Sequence, residues 1–230
     1  MKYLRCFGLV LLGAPAFAQA KLNLPLKREL DSISVQDQKY RELMAGMNNG
    51  KTDSLETALH LPKGQLFTYA LTNMNRVDSS GMRRVEAIVR RYGYPGQSLV
   101  GASTNEAAWL VIQHSSKIPQ YLPLIKAAAE KGELPYRLYA QMLDGKLMND
   151  DLEHFYGTQG VSFTVPNKAT GKRETASFIW PIKDAARVNE RRKQTGFPGT
   201  VEESAATLGI PYKPVTLEYA KRLQRQSQTR

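Results

Sequence analysis

The sequence predicts a mainly α-helical single domain with a small β-hairpin, a fold of the α+β class. Apolar residues recur at intervals of three and four through most of the chain up to residue 145, which is the period of helices packed on one face. Alternating apolar and β-branched residues are confined to 156–182. With 42% hydrophobic and 23% charged residues in a chain of 230, the composition is typical of one globular domain.

The first twenty residues have the order of a secretory signal peptide. Lys2 and Arg5 precede a short apolar run, and small residues follow it. The run is too short to span a bilayer, so we expect cleavage after Ala18 or Ala20 and no transmembrane segment in the mature chain. The sequence therefore predicts a periplasmic or secreted protein with one domain over 21–215 and a basic tail over 216–230.

Composition narrows the chemistry of the mature protein. The single cysteine, Cys6, lies in the predicted signal peptide, so thiol catalysis and cysteine-ligated metals are excluded. Lysine and arginine number 32 against 21 acidic residues, and removing Lys2 and Arg5 leaves an excess of 9 positive charges. This balance favours an anionic ligand or a cell-envelope component as partner, whereas nucleic acid is not expected outside the cytoplasm.

The helices are predicted from their apolar spacing and end signals. The first is one long helix or two joined near Ser34, and Asp78 or Ser79 would cap the third. Ser103 and Glu106 have the spacing of a capping box before a helix that is apolar all round and is therefore expected at the centre of the fold. The predicted helices cover 26–47, 53–60, 79–91, 107–114, 119–131 and 135–145.

The second part of the chain changes period. Strands over 156–165 and 174–182 are predicted to form a hairpin around the turn at 166–171. Asp184 is placed to cap a short helix that runs through Arg192, and residues 217–230 have a basic helical pattern expected to fray. No internal repeat is present.

A series of motifs in this order resembles a bacterial family of unknown function, domain-of-unknown-function family 6624. The motifs are YGYPGQSLVG at 92–101, AAWLVIQHS at 107–115, YGTQ at 156–159 and VNERR at 188–192, with DQKYR at 37–41 and VDSSGMRRVEAIV at 77–89 upstream. The resemblance covers most of the mature chain. It implies the fold of that family and no known activity.

His114 is the main candidate for chemistry, because imidazole titrates near neutral pH and can act as a general acid or base. Asp37 and Asp78 are candidate catalytic partners, either orienting His114 or pairing with Arg41. Gln113 and Arg41 are candidate ligand-binding neighbours. The structural alternatives are a histidine that caps helix carbonyls and carboxylates that form caps or surface ion pairs.

Two further residues are candidates for ligand binding. Gln159 of the YGTQ motif offers a neutral hydrogen-bonding group, and Arg191 of VNERR offers a guanidinium for an anion. The alternatives are the start of a strand and a solvated basic helix face. No cofactor and no metal is expected, because His60, His114 and His154 lack ligand spacing and no P-loop or nucleophile-elbow motif is present.

The sequence is compatible with two functions and with a third possibility, a purely structural interaction domain in which the polar groups of the motifs would not cluster. The first is a polar pocket centred on His114, which as an enzyme would be a cofactor-independent hydrolase with His114 as general base. The second is a non-enzymatic envelope protein that binds an anionic polymer or a protein partner through its basic surface, including Arg83, Arg84, Arg90, Arg91 and the tail.

Overall fold

A computed structural model describes residues 21–167 and 171–228. The predicted signal peptide over 1–20, three residues of the predicted hairpin turn and the last two residues of the predicted tail lie outside the described residues. The described part is mainly helical with one two-stranded antiparallel sheet, which confirms the predicted fold class.

The helices and strands follow one another along the chain with short connections. The helices are α1 Leu24–Asn48, α2 Thr52–Ala58, α3 Leu66–Tyr92, α4 Gln97–Val100, α5 Ala107–Gln113, α6 Ile118–Glu130, α7 Tyr136–Asn149, α8 Val188–Gln194, α9 Val201–Thr207 and α10 Leu217–Gln228. The strands are β1 Gly160–Pro166 and β2 Arg173–Ile179. Short 3₁₀ turns at Thr104–Glu106 and Ala185–Arg187 lead into α5 and α8.

Helices α1 and α3 form an antiparallel pair. Contacts of Glu29 with Arg84 and of Arg41 with Asp78 fix the opposite directions of the two helices. Helix α1 is continuous, so the interpretation as two joined helices is excluded. Its buried residues recur every three or four positions: Leu26, Leu30, Ile33, Asp37 and Tyr40.

Helix α3 begins thirteen residues before the predicted start, so the prediction that Asp78 or Ser79 caps it is wrong. Both residues lie within the helix. Ser79 Oγ donates to the Asn75 carbonyl one turn earlier, at 2.9 Å. Leu66 and Ala70 are buried on the extended part, and their packing supports the extension.

Helix α5 lies in the core, as predicted, with five of its seven residues buried. The predicted capping box before it is wrong. Ser103 has φ +68° and makes no side-chain cap hydrogen bond, because a 3₁₀ turn starts there. Gly81 of α3 packs on α5. A Cβ added at this position would lie 3.6 Å from the Val111 side chain, in van der Waals contact.

Helix α7 continues through Gly145 to Asn149, four residues beyond the predicted end. The chain leaves it through a left-handed residue, Asp151 at φ +56°, and returns towards the helix at 155–158. Gly145 therefore lies inside the helix. The Gln159 side chain packs beside it, with Nε2 at 3.9 Å from the position that a Cβ would occupy. Asp184 likewise makes no cap hydrogen bond, because its carboxylate pairs with Arg187 instead.

The hairpin starts later than predicted. Gly160 pairs with Ile179 and Pro166 with Arg173, so residues 156–159 precede the ladder instead of joining it. The basic stretch that was expected to fray is helix α10, which packs on β1. Its Ala220 and Leu223 are buried against Phe178 and Trp180.

Buried apolar residues form three clusters. The largest joins α1, α3, α5, α6 and α7 and includes Trp109. A second lies between the end of β2, α8 and α9, and a third between the hairpin and α10 includes Trp180. Both tryptophans are therefore core residues.

Candidate functional site

Helices α1, α3 and α5 bring together four of the predicted site residues. We call Asp37, Gln38, Arg41, Asp78 and His114 the His114 cluster. Asp37, Gln38 and Arg41 are close in α1, and Asp78 comes from the facing turn of α3. His114 is the residue at the carboxyl end of α5, and its ring lies against the pair of helices α1 and α3.

The centre of the cluster is a histidine–aspartate pair. Nδ1 of His114 lies 3.1 Å from Oδ2 and 3.3 Å from Oδ1 of Asp37. Asp37 is 2% exposed, while the His114 side chain is 24% exposed. Nε2 of His114 has no hydrogen-bond partner among the described residues, so the ring offers that nitrogen to solvent or to a ligand.

The Asp37 carboxylate is held from two further sides. Gln38 Nε2 donates to Oδ2 at 2.7 Å, and Arg41 Nη1 lies 3.4 Å from Oδ1 while donating to the Asp37 carbonyl at 2.7 Å. Since a buried carboxylate is costly unless charges and donors surround it, these contacts offset the burial of Asp37 and fix its orientation.

Arg41 connects the two aspartates of the cluster. Its Nη2 donates to both oxygens of Asp78 at 2.9 Å. The two hypotheses for the carboxylates are thus divided between them: Asp37 contacts His114, and Asp78 pairs with Arg41. Arg41 and Asp78 are 21% and 24% exposed, so their ion pair lies at the edge of the cluster.

Gln113 precedes His114, and its side-chain oxygen is buried without a hydrogen-bond partner in the described part of the chain. Gln159 and Arg191 make their contacts elsewhere. Gln159 Nε2 lies 3.2 Å from Thr158 Oγ1 and 3.4 Å from the Gln141 carbonyl. Arg191 donates to the carbonyls of Phe155, Lys183 and Asp184.

A second group of buried polar residues was not predicted as a group, although Arg192 was considered with Arg191 as a guanidinium for an anion. It consists of Asp144, His154 and Arg192, which are 0%, 0% and 3% exposed. Asp144 accepts backbone N–H groups of Phe155, Tyr156 and Thr158 together with the Thr158 hydroxyl. This carboxylate thereby fixes the loop that carries the YGTQ motif.

Arg192 holds the same loop from the other side. It donates to the carbonyls of Tyr156 and Gly199 at 2.9 Å and to the Ser204 hydroxyl. Burial lowers the pKa of Arg192, although Asp144 and two more distant carboxylates oppose the shift. The sequence signal for this residue was its place in VNERR, where a solvated helix face was the competing interpretation.

His154 is enclosed with neither ring nitrogen hydrogen-bonded. Its Nδ1 lies 3.9 Å from Asp144 Oδ2. Burial lowers the pKa of His154 to about 4, against the raising effect of Asp144, so the ring is neutral at pH 7.

The sequence did contain a signal for the importance of Asp37. It occupies a position in the apolar stripe of α1, four residues after Ile33 and three before Tyr40, where an exposed aspartate would not fall. A charged residue within such a stripe must be paired when the helix packs. The burial of His154 and Arg192 depends on contacts far apart in sequence and has no comparable local signal.

Within residues 21–167 and 171–228, no group of three or more histidines, cysteines, aspartates or glutamates is placed to hold a metal ion. No helix in that part is long and apolar enough to cross a bilayer. The geometry of the His114 cluster suits proton transfer at Nε2, with the Asp37 carboxylate held at Nδ1.

Comparison with curated proteins and with solved structures gives no match. A family described as a family of unknown function, DUF6624, matches residues 51–212. The matched part contains Asp78, His114 and the YGTQ and VNERR motifs, while Asp37 and Arg41 lie before it. Since the match spans more than half of the sequence, the chain belongs to the DUF6624 family.

Proposed function

We propose that the protein is an exported, cofactor-independent hydrolase in which His114 is the general base. The observation that carries the proposal is the buried Asp37 at Nδ1 of a partly exposed histidine whose Nε2 has no partner in the described residues. Export rests on the charge and apolar order of residues 1–20. Amino-terminal sequencing of the exported protein tests this, and a mature chain that starts after Ala18 or Ala20 would support export.

In this proposal each group has a role that fits its position. Nδ1–H donates to Asp37, which fixes the tautomer with the lone pair on Nε2. Nε2 removes a proton from a water molecule as the water oxygen bonds to the electrophilic carbon or phosphorus of the substrate. Asp37 stabilises the imidazolium formed, and the proton on Nε2 then passes to the leaving group as its bond breaks.

Arg41 and Gln38 are positioning residues in this scheme. They contact Asp37, and neither reaches His114 directly in the described contacts. Their loss is expected to reduce kcat through a misplaced carboxylate, with less effect on KM.

The test uses chromogenic ester, phosphodiester and glycoside substrates. Replacing His114→Ala should reduce activity to background, and Asp37→Asn should reduce it by roughly 10²–10⁴-fold, as for loss of a base or of its orienting carboxylate. The matched control is His60→Ala, since His60 is an exposed histidine outside the cluster. His114→Ala should leave the thermal midpoint nearly unchanged, and a large fall in the midpoint with unchanged turnover would assign the pair a structural role instead.

A groove between α1 and α3 favours a second candidate function, binding of an anionic polymer of the cell envelope. The groove has a volume of about 530 Å³, and Arg83, Arg84 and Arg91 line it above apolar residues of both helices. Glu29 in the same groove lies 3.5 Å from Arg84, so part of the charge is already neutralised. Arg90 does not line the groove.

Salt and substitution separate the two functions. Binding of an immobilised polyuronate that survives His114→Ala, weakens with added salt and is lost on replacing Arg83 and Arg91 by glutamine would support the polymer-binding function. Arg90→Gln is the matched control. Polymer retention that is equal in the double variant and in the control would contradict binding in this groove.

A further inference from the structure

A second cavity, which shares no residue with the His114 cluster, lies between α7, the 156–159 loop, α8 and α9. Its volume is about 460 Å³, within the range of small-molecule sites. Polar groups of Arg137, Gln141, Thr158 and Arg192 line it together with the ring of Phe197. Two of these residues belong to the YGTQ and VNERR motifs.

Arg192 is a cation without a direct counter-ion at this cavity. It is 3% exposed and forms no ion pair with the described residues, and its three observed hydrogen bonds all go to neutral oxygens. A guanidinium has five N–H groups, so two remain for another acceptor. Burying a charge without a partner is costly, and an anion beside Arg192 would offset that cost.

The nearest carboxylates are engaged in other bonds. Asp144 is occupied by four donors of the 155–158 loop, Glu202 accepts from Asn189, and Glu203 closes the capping box of α9. They raise the pKa of Arg192 from a distance without pairing with it. Two N–H groups of Arg192 therefore remain without a carboxylate partner among the described residues.

Arg137 supplies a second positive charge on the α7 side. Its Nη2 lies 3.2 Å from Glu106 in an ion pair whose side chains are 38% and 36% exposed. Because exposed pairs of this kind contribute little, Arg137 can exchange Glu106 for a bound anion at small cost. Phe197, whose ring centre lies 4.4 Å from the Arg192 guanidinium carbon, gives the cavity an apolar wall.

We propose that this cavity binds a small organic molecule that carries a carboxylate or a phosphate. Its oxyanion lies between Arg192 and Arg137, and its apolar part packs on Phe197. Guanidinium groups suit both oxyanions, because their N–H groups match pairs of oxygen atoms. The site is separate from the His114 cluster and does not depend on the hydrolase proposal.

Isothermal titration calorimetry at constant ionic strength tests the site with four probes: acetate, benzoate, inorganic phosphate and phenyl phosphate. Benzoate or phenyl phosphate should bind more tightly than the corresponding anion without a ring, since only the aromatic probes contact Phe197. The stronger of these two identifies the oxyanion as carboxylate or phosphate. No heat of binding with any probe at millimolar concentration would overturn the proposal.

Substitutions locate the binding. Arg137→Gln removes the second charge, and Thr207→Trp fills the cavity from an exposed wall position without changing its charge. Each should weaken binding by about tenfold or more, which corresponds to about 1.4 kcal/mol. Arg90→Gln should leave the affinity unchanged. Equal affinity in the wild type and in both cavity variants, or an equal loss in Arg90→Gln, would refute the site.

The test avoids Arg192 because that residue also holds Tyr156, Gly199 and Ser204. Unfolding curves for Arg137→Gln and Thr207→Trp should remain cooperative, so that lost binding reports the cavity. If Thr207→Trp unfolds, Thr207→Leu provides a smaller filling residue at the same position. Retained affinity in that folded variant together with Arg137→Gln would equally refute the site.

Discussion

The enclosed ring of His154 makes protein stability depend on pH in a window where carboxylates contribute little. Its pKa is about 4 in the folded protein against 6.5 for an unperturbed histidine. Because the folded-state pKa is the lower one, the unfolded chain binds a proton first as pH falls. Stability from neutral His154 is fully present above pH 6.5 and is lost between 6.5 and about 4.

The magnitude follows from the difference in pKa. A gap of about 2.5 units at 1.36 kcal/mol per unit gives about 3 kcal/mol over the whole window, of which about 2 kcal/mol is lost by pH 5. The pKa values of Asp31, Glu86 and Glu202 are lowered from ordinary values of 3.8 to 4.5, so the stability that these carboxylates contribute is lost at lower pH.

Urea unfolding from pH 7 to pH 4.5 measures this effect, with His154→Leu as the comparison. Leucine fills a similar volume and has no titrating nitrogen, and the two unpaired ring nitrogens that it replaces contribute no hydrogen bond. The wild type should lose about 2 kcal/mol more than the variant between pH 7 and pH 5. Parallel curves for the two proteins over that range would refute the assignment.

Three other substitutions test the described contacts by chemical unfolding. Asp144→Ala leaves three backbone donors and one hydroxyl unpaired and should destabilise the fold by about 3–5 kcal/mol, so a loss below about 1 kcal/mol would contradict the anchoring role. Gly157→Ala combines φ +65° with a Cβ 2.6 Å from a neighbouring side chain and should cost about 1–3 kcal/mol more than Gly171→Ala, where φ is +69° with no atom within 4 Å. Asp78→Asn weakens a partly exposed pair with Arg41 and should change stability by about 1 kcal/mol or less, and a much larger loss would mean that Arg41 depends on Asp78 for its position.

The sequence predicted those features that repeat locally. The helices with regular stripes, such as α1 with Leu26, Leu30 and Ile33, were recognised, and so was the hairpin. The start of α3 was missed although Leu66, Ala70, Met74 and Val77 have helical spacing. Only Leu66 and Ala70 of these are buried, and their burial depends on contacts with other elements. The helical pattern at 217–228 was recognised. Its packing on the hairpin was not predicted, because it depends on contacts with Phe178 and Trp180 that the local pattern does not reveal.

The candidate site shows the same limit. The association of His114, Asp37, Arg41 and Asp78 was proposed from their chemistry and motifs, and three helices do place them together. Which aspartate meets the histidine could not be read from the sequence, because that depends on the relative rotation of α1 and α3. Gln159 belongs to the YGTQ motif, and Arg191 donates to the Phe155 carbonyl, so the contacts of both residues lie at the 155–158 loop.

The division of the apolar core has a consequence for how the protein opens. Fully buried residues of the helical cluster lie between Leu26 and Met142, whereas those of the other two clusters lie between Phe178 and Leu223. Each set is formed mainly by residues of one continuous part of the chain. Amide hydrogen exchange should therefore show two cooperative units that open with different free energies. The amides bonded to Asp144 join these units. Their exchange rate therefore reports the parting of the two halves, before either half unfolds.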